Sequence, residues 1–248
     1  MSSTTGSPLV YRIQGQEVTL PVSVREASTG AATYLVDSAV ARRLLPGTEL
    51  DVLELLPGKA LFSIALVDYK DNDLGDYNEV SLAFFVRERS AAAGIPYLGT
   101  LLDFLRGKVS TYIRHLPVNQ SFTCEAGCTI WGFPKTVQQI DFDYAPERVR
   151  CKLVMDGQHV LTLSVPRGGS RTLPDSEMVT YSYIQGIPHR TSFSSGAEGF
   201  GFKLGGAQLE LGEHPLAGEL RRLGLPKSAL MTTWMEKMHG RFEAAQKI

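Results

Sequence analysis

Between residues 60 and 89 the chain alternates with a period of two, and both phases of the alternation are apolar. In ALFSIALVDY (60–69), Phe62, Ile64 and Leu66 share one face while Ser63, Ala65 and Val67 share the other. In NEVSLAFFVRER (78–89), Val80, Leu82, Phe84 and Val86 oppose Glu79, Ser81, Ala83 and Phe85. A period of two is the mark of a β-strand. RVRCKLVMDGQHVLTLSVP (148–166) reads as a hairpin: Val149, Cys151, Leu153 and Met155 alternate with polar residues, and Asp156-Gly157 suits a type I′ turn. Several strands with polar turns between them predict an antiparallel sheet curled into a barrel or sandwich.

Helical spacing is rarer. Asp37 or Ser38 is placed to cap SAVARRLL (38–45), which Pro46-Gly47 ends. Leu98, Leu101, Leu102 and Leu105 predict a helix through PYLGTLLDFLRGKVSTYI (96–113). HPLAGELRRLGLP (214–226) has proline at its first turn, Arg221 and Arg222 in its last and Gly224 at its stop. The tail MTTWMEKMHGRFEAAQKI (231–248) reads as strand turning to helix near Met235. The glycine-rich run SSGAEGFGFKLGG (194–206) matches neither a dinucleotide fingerprint nor a P-loop, and predicts a bend or bulge in a barrel strand. With no internal repeat and no clear linker, residues 16–248 read as one domain behind a flexible segment over 1–15.

Composition narrows the function. The chain has 248 residues, 43% hydrophobic, with 25 Lys+Arg against 26 Asp+Glu and a formal net charge of −1. That balance argues against a nucleic-acid surface. No apolar run reaches the roughly 20 residues of a spanning helix. The start, MSSTTGSPLV, lacks the pattern of a signal peptide, so the expectation is a cytoplasmic protein without a membrane partner. Cys124, Cys128 and Cys151 are too few for a disulfide framework and read as small thiols on a strand face. The five histidines show no ligand spacing, so no metal is expected.

The segment CTIWGFPKTVQQ (128–139) sets Lys135 directly after an apolar, aromatic run. An ordinary lysine has a pKa of about 10.4 and is almost wholly protonated at neutral pH. An apolar pocket disfavours the charged form and can lower such a value by as much as about 3–5 units. Trp131 and Phe133 are suitable walls; strand alternation puts residues 131, 133 and 135 on one face, and Pro134 stiffens the approach.

TIWGFPK resembles the active-site segment of the acetoacetate decarboxylase family, whose lysine after an aromatic-proline pair forms a Schiff base. TYLVDSAVARRLLPG (33–47), LGDYNEVSLAF (74–84) and LVMDGQHVLTLSV (153–165) resemble further family segments in order. The resemblance covers roughly residues 20 to 165, and HPLAGELRRLGLPKSALMTTW (214–234) matches more weakly. It implies a mainly β, α+β fold, a central antiparallel β-barrel flanked by a few helices. Lys135 would then be the nucleophile and Glu79 the acid facing it. Arg25, in PVSVREAS, would receive a substrate carboxylate. Trp131, Phe133 and Ser63 would complete the substrate site.

The implied protein is a cofactor-free lyase acting on a small-molecule keto acid, and a homo-oligomer. Two positions depart from the decarboxylases. Thr136 stands where they carry a second lysine, and Ser63 where they tend to carry another carboxylate. Members altered in this way resemble aldolase-dehydratases, which condense a keto acid such as pyruvate with an aldehyde. Both reactions therefore stay open, as does a non-catalytic barrel that only binds a small ligand.

Overall fold

The computed structural model describes residues 9–47, 49–90 and 97–248. A hairpin of β1 (Val10–Ile13) and β2 (Gln16–Thr19) precedes the long strand β3 (Val22–Asp37). Helix α1 (Ser38–Leu44) and short strands β4 (Leu50–Val52) and β5 (Glu54–Leu56) lead into β6 (Lys59–Asn72) and β7 (Tyr77–Glu88). Then come α2 (Leu98–Leu105), β8 (Ser110–Val118), α3 (Ser121–Trp131) and β9 (Lys135–Val137). Strands β10 (Gln139–Tyr144), β11 (Arg148–Met155) and β12 (Gln158–Pro166) form a meander, and β13 (Arg171–Ile184) and β14 (Ile187–Leu204) a long hairpin. The chain closes with β15 (Gln208–Leu211), α4 (Pro215–Arg222), β16 (Met231–Phe242) and β17 (Gln246–Lys247).

Seven strands close into a barrel in the order β7-β6-β3-β16-β14-β13-β8, with β8 returning to β7. Every pair in the ring is antiparallel except β13 with β8, which is parallel. A second sheet, β10-β11-β12-β15, lies against the outside of the ring. Between them Phe62, Ile64, Leu66, Leu82 and Phe84 meet Val149, Cys151, Leu153, Leu161 and Leu163 from the second sheet in one buried cluster. The outward phase of β6 and β7 is thus the main core. A separate cluster joins β1, β2 and α3 across one end of the ring, with Ile13, Val18, Ala126, Ile130 and Trp131 all buried.

The local chemistry explains the shorter elements. Asp37 caps α1 by accepting from the Val40 N–H at 2.9 Å. His214 caps α4 through its ring, which accepts from the Leu216 N–H at 3.1 Å, and Leu216, Ala217 and Leu220 face the core. Asp156-Gly157 forms the turn of the β11–β12 hairpin.

Four expectations are corrected. The helix through 96–113 stops at Leu105, and Ser110 to Tyr112 already belong to β8. The tail does not turn helical: β16 continues to Phe242 because it is paired on both sides, by β14 and β3, which overrides the helix propensity of Met, Glu and Lys. Residues 10–15, read as flexible, form β1 and its turn, with Ile13 1% exposed; residues 1–8 lie outside the described ones. Cys124 and Cys128 sit on α3 rather than on a strand, and only Cys151 is a buried strand thiol. The bulge expected in the glycine-rich run is present: between Ala197 and Phe200 β14 has one residue more than the facing stretch of β13, and Gly199 there takes a left-handed φ of 66°, while a second irregularity lies in β13 between Leu173 and Ser176.

Candidate active site

The inside of the barrel is a cavity of about 770 Å³. Its walls are the inward phase of the ring: Ser63, Ala65, Val67 and Tyr69 from β6, Tyr77, Glu79, Ser81, Ala83 and Phe85 from β7, and their equivalents around the circle. At the end plugged by α3 and the β1–β2 hairpin, Trp131, Phe133, Phe193 and Phe242 make an aromatic floor. Trp131 lies near-parallel to Phe133 at 5.9 Å, and Phe193 stacks on Phe242 at 4.1 Å.

Lys135 reaches this floor by a specific route. Helix α3 ends at Trp131, whose indole N–H donates to the Glu243 carbonyl at 2.8 Å. Gly132 then takes the left-handed conformation (φ 65°) that closes a helix, and its N–H returns to the Cys128 carbonyl at 3.2 Å. A side chain there would also strike the Tyr183 backbone, so glycine suits both the turn and the fit. Phe133 and Pro134 carry the chain to Lys135, which opens β9 in parallel pairing with Leu116 of β8. The expectation that 131, 133 and 135 share a strand face fails, because Trp131 is helical. The three side chains nevertheless converge on the cavity.

The Lys135 amine lies 2.8 Å from Glu79 Oε2, and the two side chains are only 4% and 9% exposed. It donates to the Tyr77 hydroxyl at 3.4 Å and sits 4.8 Å from the centre of that ring. Tyr69 stacks on Tyr77 at 4.3 Å and directs its hydroxyl at Glu79 Oε1, 3.5 Å away. Burial pushes both tyrosine hydroxyls well above the ordinary value, and the neighbouring carboxylate adds to the shift, so both stay protonated. That arrangement sets an amine that can attack a carbonyl carbon beside a carboxyl group that can transfer a proton.

Space for the lysine is made by Gly127 on α3. A Cβ there would stand 2.5 Å from Lys135 Cδ and 2.6 Å from Cε, so any larger residue would make the lysine stem shift. Sequence reasoning missed Tyr69, Tyr77 and Gly127. Parity would have found the tyrosines: Tyr77 shares the phase of Glu79, and Tyr69 that of Ser63, Ala65 and Val67. Gly127 was hidden with the rest of α3.

Among the expected substrate residues, Trp131, Phe133 and Ser63 line the cavity. Arg25 does not. It is 50% exposed on the outside and held by Asp71 and Asp73, at 2.7 and 2.5 Å. The β3–β6 register shifts on either side of Glu26, which switches the inward phase from Val22 and Val24 to Thr29, Ala31 and Thr33. Thr136 is exposed, alternating outward from Lys135, so a second lysine at that position would also sit outside the cavity. Apart from Lys135, no cation lines the cavity among the described residues, and no cluster there could hold a metal ion. No helix among them is long and apolar enough to cross a membrane.

Known structures share this architecture. Acetoacetate decarboxylase from Legionella pneumophila superposes with a TM-score of 0.67 over 99% of this chain and 92% of its own, at 13% identity. The enduracididine biosynthesis enzyme MppR complexed with pyruvate gives 0.63 over 98% of both chains at 15% identity. The same enzyme with the condensation product of pyruvate and imidazole 4-carboxaldehyde gives 0.62 at 16% identity, again over 98% of both chains. At such identities the likeness concerns the fold. No curated protein matches the chain. The model of the acetoacetate decarboxylase family matches residues 8–242, nearly the whole sequence, and the chain belongs to that family.

Proposed function

We propose that the protein is a carbon–carbon lyase that forms a Schiff base at Lys135 and releases CO2 from a β-keto acid. The observation that supports this most is the buried contact of the Lys135 amine with Glu79 at 2.8 Å, at the floor of a ligand-sized cavity. In the proposed reaction a neutral Lys135 amine attacks the ketone carbon beside protonated Glu79. Glu79 protonates the departing hydroxyl, water leaves, and a cationic iminium forms. The bond to the β-carboxylate then breaks, its electron pair flows into the iminium, and CO2 departs. The resulting enamine takes a proton at carbon, and water releases the ketone and restores the amine. Overall, R–CO–CH2–COO⁻ and H⁺ give R–CO–CH3 and CO2. Tyr77 and Tyr69, held protonated, hold the amine and the carboxylate in place.

The missing cation bears on the choice of reaction. A carboxylate in an apolar site without a partner is costly. In decarboxylation that charge leaves the carboxylate as the bond breaks, so the cost is relieved on the way to the transition state. In a pyruvate aldol reaction the carboxylate stays throughout. The likeness to MppR, seen with pyruvate and with a condensation product, is what favours aldol condensation and dehydration as a second reading.

Borohydride trapping separates these possibilities. Acetoacetate with borohydride should add a covalent mass at Lys135, and acetoacetate alone should yield CO2 and acetone. An ultraviolet-absorbing enone from pyruvate and an aromatic aldehyde, without decarboxylation, would select the second reading. No adduct with acetoacetate, pyruvate or longer keto acids would reject the Schiff base and leave a binding barrel.

A further inference from the structure

The cavity is far larger than acetoacetate requires. At about 770 Å³ it lies within the roughly 300–1,000 Å³ of sites that enclose drug-sized ligands. Small inward side chains create the space: Ala31 on β3 pairs with Ala65 on β6, which pairs with Ser81 on β7, and beside them Ser63 pairs with Ala83. From Glu79 to Phe85 the β7 lining covers about 20 Å of strand at ~3.3 Å per residue. A barrel tilt of about 40° leaves roughly 15 Å along the axis.

Burial shows which way the space opens. At the Lys135 end the lining residues Val22, Trp131 and Phe133 are buried. At the other end Leu101 of α2, Phe202 and Leu204 line the same cavity and are exposed, Leu204 to 73%. Leu98 and Leu102 of α2 extend this apolar rim. Exposed apolar groups gathered at one place mark a binding surface. The charges are just as unevenly placed: Lys135 and Glu79 lie buried at the floor, and the remaining charged lining residue, Glu177, is exposed and accepts from the Ser192 hydroxyl.

A matching ligand carries its polar group at one end and is apolar over roughly the next 15 Å. We infer that the substrate is a 3-oxo acid with a long alkyl or aryl tail, its keto group at Lys135 and its tail running past Ser81 and Ala83 to the mouth under α2. This rests on the lyase reading above. The reaction is the same balanced decarboxylation, and the product is a long-chain methyl ketone. A chain with a second charge along its tail would find no counter-ion in the walls.

The test is a homologous series: acetoacetate, 3-oxohexanoate, 3-oxooctanoate and 3-oxodecanoate. Each methylene buried in the cavity should raise kcat/KM by about fourfold, until the tail clears the mouth. Ala83→Phe, and independently Ala65→Leu, should cut the ratio of kcat/KM for 3-oxodecanoate over acetoacetate by at least tenfold. A second arm needs no chemistry: methyl ketones of increasing length titrated into Lys135→Met protein by calorimetry should bind more tightly with each methylene. A flat or falling kcat/KM along the series, with acetoacetate still trapped at Lys135, overturns the tail while sparing the lyase. If nothing is trapped, the ketone series decides, and affinities independent of length overturn the inference.

Discussion

On β6 and β7 the outward and inward phases are both largely apolar, yet one is packed core and the other borders a cavity. The outward phase carries Phe62, Ile64, Leu66, Leu82 and Phe84, which meet the second sheet. The inward phase carries Ser63, Ala65, Ser81 and Ala83 between Tyr69 and Glu79 near one end and Phe85 near the other. Polarity alone does not separate these faces; side-chain volume does. Large residues close one side, and small ones cannot meet across the ring on the other.

The comparison predicts that inward substitutions change chemistry and outward ones change stability. Lys135→Met should lower kcat/KM by about 10⁴-fold or more while leaving cooperative unfolding intact, as read by steady-state kinetics beside thermal denaturation. Phe84→Ala, which removes a fully buried ring packed 5.0 Å from Phe62, should cost about 3–5 kcal/mol in denaturant unfolding. Labelling of Lys135 by acetoacetate and borohydride should persist in whatever fraction stays folded. Gly127→Ala separates the two properties at one atom. The added methyl displaces the lysine stem and should lower kcat by about 10–100-fold, while helix propensity contributes up to about 1 kcal/mol in favour of α3. A variant that loses activity and stability in proportion would break the comparison.

The smallest effect concerns the clasp between α4 and β8, where Glu219 meets His115 at 3.0 Å and Arg114 at 3.3 Å. Burial alone would raise the carboxyl, but hydrogen bonds from His115 and Arg114 prevail and hold it down at about 2. A carboxyl depressed by folding stabilises the native state above its unfolded value and stops doing so as pH falls through the folded one. Glu219→Gln should therefore cost about 1–2 kcal/mol at neutral pH, after screening of the part-exposed partners. The gap from the parent should close between about pH 4.5 and about 2, with activity per folded molecule little changed.

Strands β6 and β7 were legible because their alternation is regular, and Lys135 because a strong local motif carries it. Helix α3 was not. Its sequence SFTCEAGCTIW mixes a glycine, two threonines and two cysteines, weak helix formers, and its last residues are β-branched and aromatic like a strand. What holds it is tertiary: Ala126, Ile130 and Trp131 close the end of the barrel. Arg25 was misplaced for a related reason. A register shift reverses parity without any signal in the local pattern, and the residues beside it then point the opposite way. β16 shifts likewise, so that Met231, Thr233 and Met235 line the cavity before the break, and Met238 and Phe242 after it.

The plug of α3 and the first hairpin also governs traffic. A tube closed at the Lys135 end is a cul-de-sac, so in the proposed reaction a ligand enters carbonyl first and withdraws by the way it came. On the proposed chemistry CO2 is released beneath a tail that is still tethered, and must slip past it along the wall of alanines and serines. Whatever hangs from the far end of that tail stays outside, free to be any size; branching close to the carbonyl meets Trp131 and Phe133 at once.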